Sequence, residues 1–190
     1  MLNTLSQVTL KLTMPGVPDI YQGSELWDLA FVDPDNRRPV DFCTRAKLLD
    51  QVKGTSDWQQ LIDTRRTGAI KLALLQCLLD IRRNFSELFE AGDYKPLPVR
   101  GDRADHVIAF ARTRRGEAVI IVVGRLFANL TDGGRSWPQA SAWRAELAWD
   151  GYDAIELLGP LPTAKCRDHA NLSALFEMMP IAILRAKIVG

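Results

Sequence analysis

The densest set of side chains able to do chemistry lies in Asp33-Pro34-Asp35-Asn36-Arg37-Arg38-Pro39. The prolines restrict the backbone, so two carboxylates, an amide and two guanidiniums stay close together. Carboxylates accept hydrogen bonds, guanidiniums donate them from a rigid planar fork, and the amide does both. That combination suits a polyhydroxylated ligand. Pairing of Asp33 and Asp35 with Arg37 and Arg38, which would only order the loop, is the simpler reading of the same residues. A calcium loop of the EF-hand type does not fit. Arg37 falls at its third ligand position, Arg38 where a glycine is needed, and Thr44 where the closing glutamate belongs. Just upstream, Glu25, Asp28, Asp33 and Asp35 would suffice for glycoside chemistry by number. Spacing along a loop does not define the separation that such chemistry requires, so no catalytic pair is assigned. Trp27, in the same loop, is the better candidate for stacking on a sugar ring.

Elsewhere the residue types point to packing. His169 follows Cys166 closely, but one cysteine and one histidine do not make a zinc site, and no metal is expected. Neither His106 nor His169 lies beside a nucleophile-elbow pattern. No phosphate loop or dinucleotide fingerprint occurs, Gly133-Gly134 reads as a turn, and no cofactor is expected. Trp137, Trp143 and Trp149 recur through a β-rich region and read as core.

The elements that must position the loop come in two grammars. Leu5, Val8 and Leu12 recur at helical spacing over residues 2–13, and Met14-Pro15-Gly16 stops the pattern. Residues 16–21 form a short apolar run bounded by glycine and proline, which reads as a buried strand, with the loop following from Gln22 and Gly23. A helix feeding such a strand is half of a β/α repeat, so the sequence reads as opening within a larger fold. Short helices are expected at 46–52 and 57–62, separated by Gly54-Thr55-Ser56. The strongest helix runs over 69–85, with Ile70, Leu74, Cys77, Leu78, Ile81 and Phe85 on one stripe and Leu72, Leu75 and Leu79 widening it. From Gly92 the pattern turns to short β runs at 94–99, 106–112, 118–123, 143–149, 154–158 and 181–188. The expected organisation is therefore α+β, with a helical part over 1–91 and an antiparallel β-sandwich over 92–190.

With 190 residues the chain can build one or two small domains, and a formal charge of +1 gives no reason to expect nucleic acid as a partner. No apolar run approaches the ~20 residues of a membrane span, and the N-terminus lacks the charged and apolar regions of a signal peptide. Cys43, Cys77 and Cys166 are unpaired by number, which suits a reducing compartment. The cytoplasm is the expected location, with no membrane partner.

PGVPDIYQG, ELWDL and VDPDNRRPVD, occurring together and in order, closely resemble the last strand and following loop of the maltooligosyltrehalose synthases, a family of the α-amylase superfamily. Lys71-Leu72-Ala73-Leu74-Leu75, Ala91-Gly92-Asp93-Tyr94, Arg103-Ala104-Asp105-His106-Val107, Ala109-Phe110-Ala111-Arg112, and Leu175-Phe176 before Pro180 resemble the same family's C-terminal region. The resemblance implies the C-terminal fragment of a (β/α)8 barrel followed by an antiparallel β domain. Residues 16–21 would be barrel strand eight and 69–85 its helix. A whole barrel takes roughly 250 residues.

Tyr21, Gln22, Glu25, Trp27, Asp28, Asp33, Asp35, Asn36, Arg37 and Arg38 would then lie on or near the face that holds the sugar chain, which favours substrate binding for the polar knot over loop ordering alone. The implied reaction turns the reducing-end α-1,4 bond of a maltooligosaccharide into an α,α-1,1 bond. The family's catalytic Asp, Glu and Asp belong to earlier strands. The chain alone is expected to be inactive, with a maltooligosaccharide and the missing N-terminal barrel portion as its partners. The alternatives are a non-catalytic glucan-binding module, using Trp27 or the β-domain tryptophans, and a structural module.

Overall fold

The computed structural model of the chain describes residues 1–29, 39–159 and 169–189. Five helices come first: α1 (Leu2–Thr13), α2 (Phe42–Val52), α3 (Trp58–Asp63), α4 (Ala69–Asn84) and α5 (Ser86–Ala91). Strands follow: β1 (Asp93–Pro96), β2 (Val99–Arg100), β3 (Val107–Arg114), β4 (Glu117–Gly124), β5 (Glu146–Ala148), β6 (Tyr152–Gly159) and β7 (His169–Asn171). The short helix α6 (Leu172–Leu175) then leads to β8 (Ile181–Ile188).

Five strands pair in the order β1-β3-β4-β8-β6 and three in the order β2-β5-β7, all antiparallel. The central strands β3, β4 and β8 of the larger sheet are buried on both faces, and the alternation of their side chains shows why. Phe110 on β3, Val119, Ile121 and Val123 on β4, and Ile181 and Ile183 on β8 join the core formed by Leu5, Leu12, Ile70, Leu74, Leu78, Leu88 and Phe89 of the helices. The alternate residues Ala109, Ala111, Ile120, Val122, Ala182 and Leu184 face a second core with Trp143, Leu147, Trp149, Leu172 and Phe176. Three layers result: helices, main sheet and small sheet. One of the two cores thus draws on residues from both sides of Gly92.

The expected helices form, and α5 adds one that the pattern did not announce. Ala69 to Leu75 are all buried, so α4 is covered on every side over its first two turns. Leu79, expected on its widened stripe, is exposed. Arg115 and Gly116 both take positive φ, 50° and 83°, which closes the two-residue turn between β3 and β4 with the twist that an antiparallel pair needs. The run expected at 94–99 is broken in two. Pro98 has no N–H to give a ladder, and there the chain passes from the main sheet to the small one.

The strand expected at 16–21 is not formed. Val17 is 97% exposed, and neither sheet of the described residues takes a strand from this segment. A strand is stabilised by its partner's hydrogen bonds, and Pro15 and Pro18 have no N–H to offer one. The segment instead crosses the surface as an irregular arm, with only Ile20 tucked against the helical core. No helix among the described residues is long and apolar enough to cross a membrane.

Arg112, 1% exposed on β3, ties these layers together. It donates to Thr13 O at 3.2 Å, Phe89 O at 3.0 Å and Gly92 O at 2.9 Å, joining the ends of α1 and α5 to the sheet. Arg112→Met should fill the space and leave three carbonyls without their donor. At roughly 1–3 kcal/mol for each buried unsatisfied group, a loss of about 3 kcal/mol is expected. Urea unfolding would show it as a lower midpoint at unchanged slope.

Cys77 of α4 packs against β6, its Sγ 3.9 Å from Leu158 O. Burial, with Asp80 adding to it, pushes its thiol up from 9.0 to about 11. Because the folded value lies above the unfolded one, its contribution to stability is complete below about 9.0 and is lost as pH rises through about 11. Iodoacetamide at about pH 8 should label the exposed Cys43 in the folded chain and Cys77 only after unfolding. Peptide mapping would check this, and equal rates at the two positions would contradict it.

Candidate functional site

The arm from Met14 to Leu29 connects α1 to the polar loop, and three structural devices fix it. At its start, Arg82 of α4 donates to Leu12 O at 2.9 Å, a carbonyl that α1 leaves open at its end, and to Gly16 O of the arm at 3.0 Å. A turn follows, in which both the N–H and the Oγ of Ser24 donate to Tyr21 O, at 3.1 and 2.6 Å. Gly23 makes this turn possible: its φ is 88°, and a Cβ there would come within 2.9 Å of a Val40 methyl.

The second device joins the arm to α2. Glu25 accepts from Gly23 N at 3.2 Å and from Arg45 Nε at 3.1 Å, while Arg45 also donates to Gly23 O at 2.9 Å and Asp41 O at 3.2 Å. Asp41 caps α2 by accepting from Thr44 N and Thr44 Oγ1, and those hydrogen bonds hold its carboxyl below the usual range. Glu25 is therefore engaged in closing the loop.

The third device is a cradle formed by the 3-10 turn Arg65–Thr67, Gly68 and the first turn of α4. Lys71, 6% exposed, donates from Nζ to Ser24 O at 2.5 Å and to Leu26 O at 2.7 Å. Its Nζ lies 6.0 Å from the centre of the Trp27 ring, within reach of a cation–π contact. Trp27 Nε1 donates to Arg65 O at 2.7 Å. Gly68 has a φ of 86°, and a Cβ on it would meet Leu26 Cβ at 3.1 Å and Trp27 N at 3.2 Å. Burial lowers the pKa of Lys71, the nearby Asp28 and Glu25 oppose that shift, and Lys11 adds to it.

These devices bring five of the sequence-predicted residues into one short loop. Tyr21, Gln22 and Asp28 are exposed, Glu25 is held by Arg45, and Trp27 is half-buried, with part of its ring packed on the helical core. Asp33, Asp35, Asn36, Arg37 and Arg38 lie outside the described residues. Two of the three β-region tryptophans belong to the interior, and the third is half-buried. Trp143 and Trp149 are buried, and Trp137 packs on the helical core and donates to Met178 O at 2.8 Å. His106 Nδ1 is 3.1 Å from Leu126 O, and among the described residues no three acidic, histidine or cysteine side chains converge as a metal set. Exposed phenol, amide and carboxylate groups beside an indole can exchange hydrogen bonds with hydroxyls while a ring face rests on the aromatic.

Sequence reasoning passed over Lys71, Arg45 and Arg65, which hold the loop from outside it. The available signal was Lys71 itself, a charge inside the otherwise apolar opening of α4, Ala69-Ile70-Lys71-Leu72-Ala73-Leu74-Leu75.

No family model matches the chain. A putative maltooligosyl trehalose synthase of Mycobacterium tuberculosis (strain CDC 1551 / Oshkosh) is 35% identical over 191 residues, covering 96% of this chain and 20% of that protein. The solved maltooligosyltrehalose synthase of Arthrobacter ramosus superposes with a TM-score of 0.75 at 34% identity, over 98% of this chain and 22% of that one. A debranching enzyme from Nostoc punctiforme, 19% identical with a TM-score of 0.53, shares the fold alone. The chain spans about a fifth of the length of the relatives it matches. Over nearly its whole length it is thus similar, in sequence and in structure, to one part of the maltooligosyltrehalose synthases, as its motifs imply.

Proposed function

We propose that the chain provides the sugar-holding loop and the accessory β layers of a maltooligosyltrehalose synthase, as its C-terminal part. The observation that carries this is the ordered loop at 21–28. Its sequence is part of the motif set that resembles that family, and its backbone is clasped from α2 and α4 while Tyr21, Gln22 and Asp28 face solvent. In this reading Trp27 and the exposed polar groups of the loop, with Asp33, Asp35, Asn36, Arg37 and Arg38 beyond it, line the reducing-end side of a maltooligosaccharide site.

The reaction exchanges an α-1,4 for an α,α-1,1 bond within one molecule. An aspartate nucleophile forms a glycosyl-enzyme, a glutamate protonates the departing glucose oxygen, and a second aspartate supports the oxocarbenium-like transition state. The released glucose then turns and attacks through its own anomeric hydroxyl, which returns its proton to the glutamate as the bond to the aspartate breaks, so it must be retained while water is kept away. A loop fixed through its own backbone carbonyls is suited to holding that glucose. In this reading the three carboxylates come from earlier strands, and the barrel portion carrying them is the required partner.

The purified chain, incubated with maltohexaose, should cause no loss of reducing ends and release no glucose. Adding the remaining portion of a relative should restore loss of reducing ends that exceeds glucose release. Loss of reducing ends by the chain alone would show that it holds its own catalytic carboxylates and would overturn the division of labour.

A further inference from the structure

A lysine among the most buried positions of α4 needs a physical reason. Removing an ammonium from water costs several kcal/mol unless its donors are matched, and Met or Leu would fill the same space without that cost. Lys71 is the one charged residue in the buried opening turns of the helix, between Ile70 and Leu72, which are 0% and 6% exposed. What it contributes lies outside the helix. Two of its three N–H donors go to carbonyls two residues apart, Ser24 O at 2.5 Å and Leu26 O at 2.7 Å. One charge thereby fixes three consecutive backbone units, and the next residues are Trp27 and Asp28. The same cradle holds Trp27 from its other end through Arg65 O and allows its backbone to pass close over Gly68.

We propose that Lys71 is a positioning residue for the carbohydrate loop, setting the orientation of Trp27 and Asp28 by clamping the backbone just before them. The proposal rests on the reading of that loop as an oligosaccharide site. Lys71 touches no sugar in this account and acts only through the loop. Its contribution to binding is the ordering of the loop in advance, so that this entropy is not lost when sugar arrives. The groups facing it are Glu25 and Asp28 from the loop and Lys11 from α1, and its ammonium is the donor that reaches both carbonyls.

The test uses the whole chain carrying 5-fluorotryptophan at its five tryptophan positions, with the Trp27 resonance assigned from Trp27→Phe. In Lys71→Met the fluorine resonance of residue 27 should move toward that of the free amino acid while the other four stay in place. Maltoheptaose affinity should fall about tenfold, the scale of a lost charge-assisted hydrogen bond. Lys71→Arg, which keeps a cationic donor, should retain both the resonance and most of the affinity. An unmoved Trp27 resonance in Lys71→Met, or unchanged affinity, would overturn the proposal. So would collapse of all five resonances, which would make Lys71 a core residue. If maltoheptaose moves no resonance in the unsubstituted chain even with the remaining portion of a relative added, the carbohydrate reading fails, and the resonance of residue 27 in Lys71→Met still decides whether Lys71 holds the loop.

Discussion

A helix that ends inside a folded chain leaves carbonyls without partners, and α1 ends where Thr13 is 1% exposed and water cannot supply donors. Arg112 supplies them from the sheet and Arg82 from α4, and the rest of the helical layer is arranged around that solution. Because Arg112 also takes Phe89 O and Gly92 O, the same guanidinium fixes where α5 ends and where β1 begins. Lys71 repeats the device one turn from the start of α4, turned on a loop instead of a helix end. Buried cations in this fold serve the backbone, which explains how apolar layers coexist with charged interior residues.

This way of holding a loop leaves its side chains uncommitted to the clamp at several positions. Clamped through their carbonyls, Ser24 and Leu26 set the path of the chain while Tyr21, Gln22 and Asp28 remain at the surface. The ion pair of Glu25 with Arg45 gives modest energy at this exposure, and its worth lies in closing Gly23 onto the first turn of α2. The clamped backbone and the exposed side chains thus belong to different residues of the same loop.

How much of this could be read beforehand depended on whether the information was local. The stripe of α4 and the apolar run of β4 are properties of consecutive residues, and both elements stand where the pattern put them. Residues 16–21 have a strand's composition, but a strand exists only in relation to a neighbour, and no strand of the described residues pairs with it. The break at Pro98 carried a visible cue, since a proline cannot donate to a ladder, whereas the change of sheet that it accompanies involves β5, far along the chain. In the site, the residues of the loop were legible by type. Lys71 was not, because a lysine in a sequence is read as solvated until the fold shows two carbonyls, 47 and 45 residues away, converging on it.

The strand order sets a condition on how this molecule comes to be made. β8, the last strand of the described residues, lies in the interior of the main sheet between β4 and β6, and no other described strand joins those two. During synthesis the helices and the β3-β4 hairpin emerge with β4 presenting an open, largely apolar edge, and β6 emerges without its partner β8. Neither edge is capped until Ile181–Ile188 leaves the ribosome, so until then the emerging chain is a sticky intermediate whose closure depends on contacts distant in sequence. Stalled or prematurely ended synthesis would leave two unpaired strand edges, and such products fall to chaperones and proteases instead of accumulating as smaller folded units.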